Sequence, residues 1–380
     1  MNFKMTTTGK NKKVLFLYAS LNSGHQKAAQ AIEEALLMQA PDVETMNIEA
    51  LKFSYPRLRK PVHEIYMTIV TNLSGFYDFL WDNISIEKRI ARLKEIINKS
   101  TLGKFKKLFG SFPASVAVCT QALPCGFLST LKKEEGFAFK LVAVITDYDV
   151  HAYWIYENVD VYCVATLRMK EKLMQRGVSK EKIKIFGIPV GLEFSQLPNR
   201  RMMREKFGVG NESIGVLIMG GSYGVGPLMK IIMNLDKVEE DLTMIVITGK
   251  NKKLYKKIYK QLNKIKKPVK LFSYTEDVDQ LLGISDLLIT KPGGLTISEA
   301  LCFGVPMIIT KGVGGQESCN FKYLLDKNVA VAASNPEDVA LKFIELMNNN
   351  SSLKSMHNNA LKIAKPQAAA QIGQLIKSFL

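Results

Sequence analysis

The sequence predicts an α/β protein built from parallel sheets. Short apolar runs alternate with amphipathic stretches, and many runs are followed by glycine, proline or helical periodicity, which is the pattern of βαβ units. With 380 residues, of which 47% are hydrophobic, the chain can form two to three domains at roughly 100–200 residues each. The predicted strands are Val14–Ala19, Ser115–Thr120, Lys140–Thr146, Val159–Ala165, Lys182–Phe186, Ile214–Met219, Thr243–Thr248, Val269–Phe272, Leu287–Thr290 and Val305–Thr310.

A change in composition near the middle of the chain predicts a domain boundary. Residues 187–200 contain two glycines and two prolines without strong periodicity, before a new strand pattern begins at Ile214. We therefore expect one domain over residues 1–193 and a second over 194–364. Helices are predicted at Leu353–Ala364 and Gln367–Leu380, and residues 365–380 are expected to cross back to the first domain.

Composition and charge limit the classes of function. The chain has 52 Lys and Arg against 35 Asp and Glu, a net charge of +17, which favours nucleic acid or an anionic membrane as partner. No run reaches the roughly 18 apolar residues of a spanning helix, and the N-terminus lacks the apolar core of a signal peptide, so a cytoplasmic location is expected. Five cysteines without a C-x-x-C pair argue against a disulfide framework and a cysteine-based zinc site.

Much of the positive charge lies in two segments. Residues 52–107 hold twelve Lys and Arg and five Asp and Glu, interleaved with aromatic residues, which suits the headgroup region of a bilayer. The uncharged run Ile65–Tyr77 is thirteen residues, too short to span a bilayer but long enough to dip into one. Lys250–Lys267 holds nine lysines and no acid, with apolar residues at helical spacing. Ordinary helices with core aromatics, and a solvated helix face, are the simpler interpretations.

The first glycine-containing turn places a histidine at the start of a helix. Ser20–His25 follows the strand Val14–Ala19, and the residues after it are apolar at i, i+1, i+4, i+7 and i+8, which fits one helix face. Ligands bind at the carboxyl ends of strands in an open α/β sheet. Because the positive end of the helix dipole disfavours imidazolium, His25 is expected to stay neutral and usable as a base; capping or packing is the alternative.

The second turn, Gly220–Gly226, is a candidate phosphate site. It follows the strand Ile214–Met219 and precedes a helix started by Pro227. Backbone N–H groups of such a loop and the helix N-terminus suit an anion, although a tight structural turn explains the glycines nearly as well. The chain contains no G-x-x-x-x-G-K-[ST] sequence, which excludes a P-loop NTPase.

The third turn, within Thr290–Leu301, has the same order of strand, glycine turn and helix. Thr296 to Glu299 spells T-x-x-E, which a capping box would explain, with the carboxylate bound only to backbone donors. Alternatively, the helix start cradles a pyrophosphate and Glu299 accepts ribose hydroxyls, as acidic residues do in nucleotide-binding folds. The pattern alone leaves both readings open.

Several spaced motifs carry a family resemblance over nearly the whole chain, from about Val14 to Asn349. They are K-P-G-G-L-T-x-S-E-A-L from Lys291, G-V-P-M from Gly304, Gly315–Asn320, S-G-H from Ser23, Thr146-Asp147 followed by His151 and Trp154, and the run Glu157–Thr166. Together they resemble the GT-B glycosyltransferases of the group of monogalactosyldiacylglycerol synthases and the murein-precursor N-acetylglucosaminyltransferase. More narrowly, they resemble the bacterial processive diacylglycerol β-glucosyltransferases.

Two departures from the family pattern are visible. Gly314 stands where the family often has proline, which loosens that loop without removing its polar groups. The turn S-L-N-S-G-H has fewer glycines than the G-x-G-G-H pattern of the murein enzymes, which favours the lipid branch.

The resemblance implies two Rossmann-like domains facing across a cleft. A UDP-hexose would be held by the C-terminal domain, diacylglycerol or glycosyl-diacylglycerol by the N-terminal domain, and transfer would be inverting. His25 matches the base of the family, with Asp147 and His151 facing the cleft and orienting His25 or the acceptor hydroxyl. The residues expected to contact substrate are Gly24, Gly221, Ser222, Phe272, Tyr274, Gly293, Gly294, Leu295, Thr296, Glu299, Gln316, Glu317 and Asn320.

These substrate contacts have different implied roles. Gly293, Gly294, Leu295 and Thr296 would lie against the diphosphate, with Gly221 and Ser222 on the phosphate as well. Glu299 would lie against ribose. Backbone groups of Phe272–Tyr274 would hold the uracil, and Gln316, Glu317 and Asn320 would lie near the sugar or its phosphate. Asp147-Tyr148-Asp149 resembles the D-x-D metal motif of the other glycosyltransferase fold. The family pattern requires only Asp147 and a second ligand cluster is missing, so we expect no metal and no cofactor.

The predicted function is transfer of glucose from UDP-glucose to diacylglycerol at the cytoplasmic face of the cell membrane, in a family with processive members. UDP-galactose as donor, or another lipid or polyprenyl acceptor, is the alternative within enzymes. A non-catalytic protein that binds anionic membrane or nucleic acid is the alternative of a different class. The absence of RRM, KH and zinc-finger signatures argues against a specific nucleic-acid partner.

Overall fold

The chain forms two six-stranded sheets in a computed structural model that describes residues 12–18, 23–54, 101–310 and 316–380. The strands are β1 Lys13–Tyr18, β2 Glu44–Glu49, β3 Val116–Cys119, β4 Lys140–Val144, β5 Val161–Val164, β6 Ile183–Ile185, β7 Ile214–Met219, β8 Leu242–Ile247, β9 Val269–Phe272, β10 Leu287–Thr290, β11 Met307–Thr310 and β12 Ala330–Ala333. Every described pair of neighbouring strands is parallel. The predicted α/β class is confirmed.

Helices connect the strands and cover the sheets. They are α1 Gly24–Gln39, α2 Ala50–Ser54, α3 with described residues 101–111, α4 Ala122–Glu135, α5 Leu167–Gln175, α6 Arg200–Phe207, α7 Leu228–Leu235, α8 Lys252–Tyr259, α9 Val278–Gly283, α10 Gly294–Cys302, α11 Gln316–Asp326, α12 Pro336–Met347, α13 Asn350–Ile363 and α14 Ala368–Lys377. Within the described ranges, no helix combines the length and apolar character needed to cross a bilayer.

All ten predicted strands are present, and two further strands were missed. β2 has the mixed sequence ETMNIE, of which only Glu49 is buried, because it lies at the edge of its sheet. β12 is the short sequence AVAA at the edge of the other sheet. The expected helix over Lys250–Lys267 is shorter than predicted: α8 ends at Tyr259, and a 3₁₀ turn follows at Leu262–Lys264.

The order of strands locates the ligand crevices. The second sheet runs β12-β11-β10-β7-β8-β9, the strand order of a Rossmann fold, so its direction reverses between β7 and β10. The first sheet runs β2-β1-β3-β4-β5-β6 and reverses between β1 and β3. Ligands of open α/β sheets bind beyond the carboxyl ends of the strands at such a point. The first glycine turn follows β1, and the other two follow β7 and β10.

The last helix packs on the first half of the chain. Ile372 and Ile376 of α14 are fully buried in one apolar cluster with Phe16 of β1 and Leu36 of α1. The backbone approaches closely here, since a Cβ on Gly373 would lie 3.1 Å from the Leu36 nitrogen. The C-terminus is therefore tied to the sheet that carries His25.

Candidate active site

His25 lies at the carboxyl ends of the first sheet and is bound by two threonines. It is the second residue of α1, whose N-cap Ser23 accepts a hydrogen bond from the Gln26 nitrogen. His25 Nδ1 lies 2.8 Å from the Thr120 carbonyl oxygen, just beyond β3, and 2.9 Å from the Thr146 hydroxyl, just beyond β4. Because a carbonyl only accepts, Nδ1 carries the ring proton in the neutral form, and Nε2 holds the free lone pair.

The surroundings of His25 keep the ring neutral. Burial lowers the pKa of His25 below its usual value, against the hydrogen bond to Thr120, which raises it. A neutral imidazole with a fixed tautomer is the form that can take a proton near pH 7. Neither Asp147 nor His151 is among the described hydrogen-bond partners of His25. Thr120 and Thr146 are the described partners that orient His25, and orientation of the acceptor hydroxyl by Asp147 and His151 stays a prediction.

Asp147 is buried against Asn320 of the second half. The Asn320 side-chain amide donates to Asp147 Oδ1 at 2.9 Å and to the Pro292 carbonyl at 3.1 Å, and Asn320 Oδ1 accepts from the Tyr148 nitrogen at 2.7 Å. Burial raises the pKa of Asp147 to about 7, against the hydrogen bond from Asn320, which lowers it. Asn320 has no exposed surface and both its amide hydrogens are used, so the structure gives it protein partners in place of the expected sugar contact.

Tyr148 extends the same contact between the two halves. Its hydroxyl lies 2.9 Å from the Ser298 hydroxyl on α10, and its ring stacks on that of Tyr323 on α11 with centroids 4.3 Å apart. The backbones also meet closely, because a Cβ on Gly294 would lie 2.1 Å from the Thr146 carbonyl oxygen. Only glycine fits at this position. The loop that holds Asp147 is therefore pressed directly on the start of α10.

The first turn of α10 has no side-chain cap for its backbone N–H groups. Gly293 is the N-cap and makes no side-chain capping bond, so the helix begins before Thr296 and the capping-box interpretation of T-x-x-E is wrong. Leu295 faces the turn of His25, since a Cβ on Gly24 would lie 3.3 Å from Leu295 Cβ. A helix N-terminus of this kind favours an anion in the crevice.

The glycine loop after β7 lies beside that helix start. Gly221 adopts φ = 68°, and the Val225 nitrogen donates to the Gly220 carbonyl at 2.9 Å, closing a tight turn. A Cβ on Gly221 would lie 3.3 Å from Cε of Lys291, which forms an ion pair with Glu317. The Ser222 carbonyl accepts from the Lys250 nitrogen at 2.9 Å. Lys291 was not among the predicted site residues, although it is the lysine that directly precedes Pro-Gly-Gly in the motif.

Glu299 lies one turn further along α10 among other charges. Burial raises the pKa of Glu299 to about 8, with further raising by the negative charge of Glu193, against the charge of Lys27, which lowers it. Glu34 of α1 is affected by the same neighbour, since burial and then Glu193 raise its pKa. Because capping does not use the carboxyl of Glu299, it remains available for hydroxyl donors.

His151 connects the acceptor loop to the start of α11. Its Nδ1 accepts from the Tyr153 nitrogen at 3.1 Å, and its Nε2 lies 3.3 Å from the side-chain amide nitrogen of Gln316. Asp149 points elsewhere, since both its carboxylate oxygens bind Lys172, at 2.8 and 2.7 Å. Asp147 and Asp149 therefore have separate partners, and no metal-binding group of three His, Cys, Asp or Glu occurs in the described ranges.

The expected uracil region lies at the end of β9. The Phe272 carbonyl accepts from the nitrogen and the hydroxyl of Thr248, at 3.0 and 3.1 Å, so it already has two donors. The ring of Tyr274 is 37% exposed and has the Lys250 ammonium 5.0 Å from its centroid.

The run Glu157–Thr166 is structural in this chain. Asp160 accepts from the Leu141 nitrogen at 2.7 Å and pairs with Lys132, which joins β4 to α4. The Tyr162 hydroxyl accepts from the Tyr156 nitrogen and donates to the Tyr156 carbonyl, each at 3.0 Å. These bonds hold the loop that follows His151. Of the predicted membrane segment 52–107, residues 55–100, which include Ile65–Tyr77, lie outside the described residues, as does Gly314.

Comparisons with known proteins cover both halves of the chain. Residues 25–190 match the family model for monogalactosyldiacylglycerol (MGDG) synthase, and residues 223–363 match that for glycosyl transferases group 1. The processive diacylglycerol beta-glucosyltransferase of Bacillus cytotoxicus is 29% identical over 369 residues, which cover 97% of this chain and 94% of the relative.

Two solved structures share the fold at low identity. MurG of Acinetobacter baumannii has a TM-score of 0.64 at 16% identity, over 97% of this chain and 99% of that chain. HepE of Anabaena in complex with UDP-glucose has a TM-score of 0.57 at 13% identity, over 96% of this chain and 98% of that chain.

The two parallel sheets meeting at their carboxyl ends, with these two matches in this order, define a glycosyltransferase of the GT-B fold. Over nearly its whole length the chain is similar to the diacylglycerol glucosyltransferases, which confirms the resemblance inferred from the spaced motifs.

Proposed function

We propose that this protein transfers glucose from UDP-glucose to diacylglycerol, with inversion at the anomeric carbon, to make glycolipids. One observation carries the proposal: His25, whose Nε2 has no hydrogen-bond partner among the described residues, lies at the start of α1, which packs on the start of α10, where backbone N–H groups can bind an anion. A base for the acceptor and an anion site for the leaving group are what transfer from a nucleotide sugar requires. The sugar and the lipid are taken from the name of the relative, and UDP as the carrier of the sugar is taken from the HepE complex.

The acceptor half performs the proton transfer in this proposal. Nε2 of His25 takes the proton of the lipid hydroxyl while the hydroxyl oxygen attacks the anomeric carbon. Thr120 holds the proton on Nδ1 through its carbonyl, so the ring stays in the basic tautomer and can carry the positive charge that develops. Asp147 lies in the same loop as Thr146 and adds negative charge when it is ionised.

The donor half stabilises the charge on the departing nucleotide. The bond between the anomeric carbon and the β-phosphate oxygen breaks, and the extra negative charge falls on the diphosphate. The Gly293 and Gly294 turn, the Gly221 loop and the Lys291 ammonium surround this position. Glu299 accepts the ribose hydroxyls, and Gln316 meets the sugar beside His151. The backbone and side-chain donors among these groups stabilise the negative charge on the departing nucleotide.

The acceptor never leaves the bilayer, so the proposal includes a peripheral location at the cytoplasmic face of the membrane. The net charge of +17 supports attraction to anionic lipid. The membrane contact is electrostatic, so high salt weakens it.

An assay of the purified protein with diacylglycerol vesicles and each UDP-sugar in turn tests the proposal. We expect glycosyl-diacylglycerol from UDP-glucose, with additional sugars if transfer is processive. Product from UDP-galactose alone would make the protein a galactosyltransferase, and no glycolipid from any UDP-sugar would contradict the proposal. UDP binding without transfer to any lipid would favour a non-catalytic role.

A further inference from the structure

The lysines of segment 250–267 form a continuous basic surface on the donor half. Lys267 donates to the Glu240 carbonyl, whereas the other eight lysines are exposed. We use "basic surface of α8" for the exposed lysines on and just after this helix, which are Lys252, Lys253, Lys256, Lys257 and Lys260. They follow one another at helical spacings of three and four residues, so like charges are neighbours along the whole helix.

No described acid neutralises this surface. None of its five lysines has a carboxylate within ion-pair distance in the described ranges. Other surface helices interleave the two signs: Arg201 pairs with Glu205 on α6, and Lys342 with Glu345 on α12. Like charges at i and i+4 destabilise an isolated helix, so repulsion between its lysines destabilises α8 more than it does the helices with paired charges. An anionic partner would remove this repulsion.

Aromatic rings accompany the charge. The opposite side of α8 is anchored in the core by Ile258, which is fully buried. Tyr255 and Tyr259 stack with ring centroids 6.3 Å apart, and Tyr259 is 63% exposed. Tyrosine is enriched where hydrocarbon meets water, because its ring is apolar and its hydroxyl is polar.

The start of the segment is bonded to the candidate phosphate loop. The Lys250 nitrogen donates to the Ser222 carbonyl at 2.9 Å, and the Asn251 side chain donates to the Gly224 carbonyl at 3.4 Å. Asn251 also caps α8 by accepting from the Leu254 nitrogen at 2.9 Å. A partner on α8 would therefore lie close to the donor crevice.

We propose that the basic surface of α8 docks on the anionic headgroups of a lipid bilayer and holds the donor half at the membrane that contains the acceptor. Clusters of four to eight basic residues on an amphipathic helix are typical of binding to anionic lipid. This inference rests on the proposed function, because transfer to a membrane lipid is the reason why the donor half would need to lie at the membrane. The binding itself can be measured without any transfer reaction.

The test compares two variants that lose the same charge at different places. The first is K253Q/K256Q/K257Q/K260Q on α8, and the matched control is K180Q/K327Q/K354Q/K362Q, all exposed lysines away from α8. Full-length proteins are sedimented with phosphatidylcholine vesicles with and without phosphatidylglycerol, at low and high salt. The α8 variant should partition to anionic vesicles at least about 100-fold more weakly than wild type, and the control only slightly more weakly.

Several outcomes would overturn the inference. One is equal binding of the two variants to anionic vesicles. Another is RNA binding that requires the α8 lysines, together with no binding of the wild-type protein to anionic vesicles. Transfer to diacylglycerol in detergent micelles gives a second readout, in which the α8 variant should match wild type. A loss of activity in micelles would place these lysines at the donor site and not at the membrane. If wild type makes no glycolipid, the proposed function fails, and the vesicle comparison still decides the docking surface.

Discussion

The acceptor side of the cleft presents titratable side chains, whereas the donor side presents mainly glycine turns and backbone donors. On the acceptor side, Thr120 and Thr146 hold His25 through Nδ1, and Nε2 has no partner within the part of the chain that the structure describes. On the donor side, Gly294 approaches so closely to the Thr146 carbonyl that no side chain fits between them. The difference supports the proposal that proton transfer and charge stabilisation lie on different sides of the cleft, which mutations on each side can separate.

The largest expected effect follows from removing the base. His25→Ala should lower the rate of glycolipid formation by about 10²–10⁴-fold, because Nε2 is the only proposed proton acceptor. Initial rates with saturating UDP-glucose measure this effect. His25→Gln keeps a polar side chain at this position but has no basic nitrogen, so it should be as slow as the alanine variant. A His25→Ala enzyme with more than half the wild-type rate would show that another group is the base.

The next effect concerns the contact that joins the two sides. Asn320→Ala removes three hydrogen bonds and leaves the buried Asp147 carboxyl without its donor, which should lower the free energy of unfolding by about 2–4 kcal/mol. Because the Asn320 bond lowers the pKa of Asp147, its loss should move that pKa above about 7. Denaturant unfolding measures stability, and the acidic limb of the rate profile reports the carboxyl.

The acidic limb of the pH–rate profile should move to higher pH in Asn320→Ala. Asn359→Ala on α13 is the control, since it removes a single exposed hydrogen bond of 3.3 Å. An unchanged pH profile together with lower stability would make Asn320 purely structural.

A smaller effect should follow from a methyl group where the halves touch. Gly294→Ala would place its Cβ 2.1 Å from the Thr146 carbonyl, so the loops must separate, at a cost of about 1–3 kcal/mol in unfolding free energy. Gly293→Ala is the matched control, because its nearest neighbour would be the Lys291 ammonium at 3.9 Å. Thermal unfolding measures both, and equal melting temperatures would contradict the close approach.

The last effect is a pH dependence of stability. Burial raises the pKa of Glu299 to about 8, so the folded state keeps a proton that the unfolded state releases above pH of about 4.5. Wild-type stability should therefore fall as pH rises from about 4.5 to 8, and Glu299→Gln should remove that loss. The stability gain of Glu299→Gln should be absent at low pH and grow up to pH 8. A constant gain across this window, or the same trend in the exposed control Glu212→Gln, would contradict the assignment.

Sequence predicted the fold better than the roles of individual residues. The inner strands were found because buried parallel strands are continuous apolar runs, whereas of the four edge strands β6 and β9 were found and β2 and β12 were missed. His25 was found because its position after β1 is local in the chain. Thr120 and Thr146 were missed because their contacts with His25 span 95 and 121 residues. The burial of Asn320 arises from packing between domains, which no local pattern records.

The central claim is that proton transfer lies on one side of the cleft and nucleotide binding on the other. UDP affinity of His25→Ala and Glu299→Ala, measured by calorimetry beside the transfer rate, tests it most directly. The account predicts that His25→Ala binds UDP as wild type does while its transfer is lost, and that Glu299→Ala binds UDP more weakly. Loss of UDP binding in His25→Ala, with unchanged binding in Glu299→Ala, would contradict it.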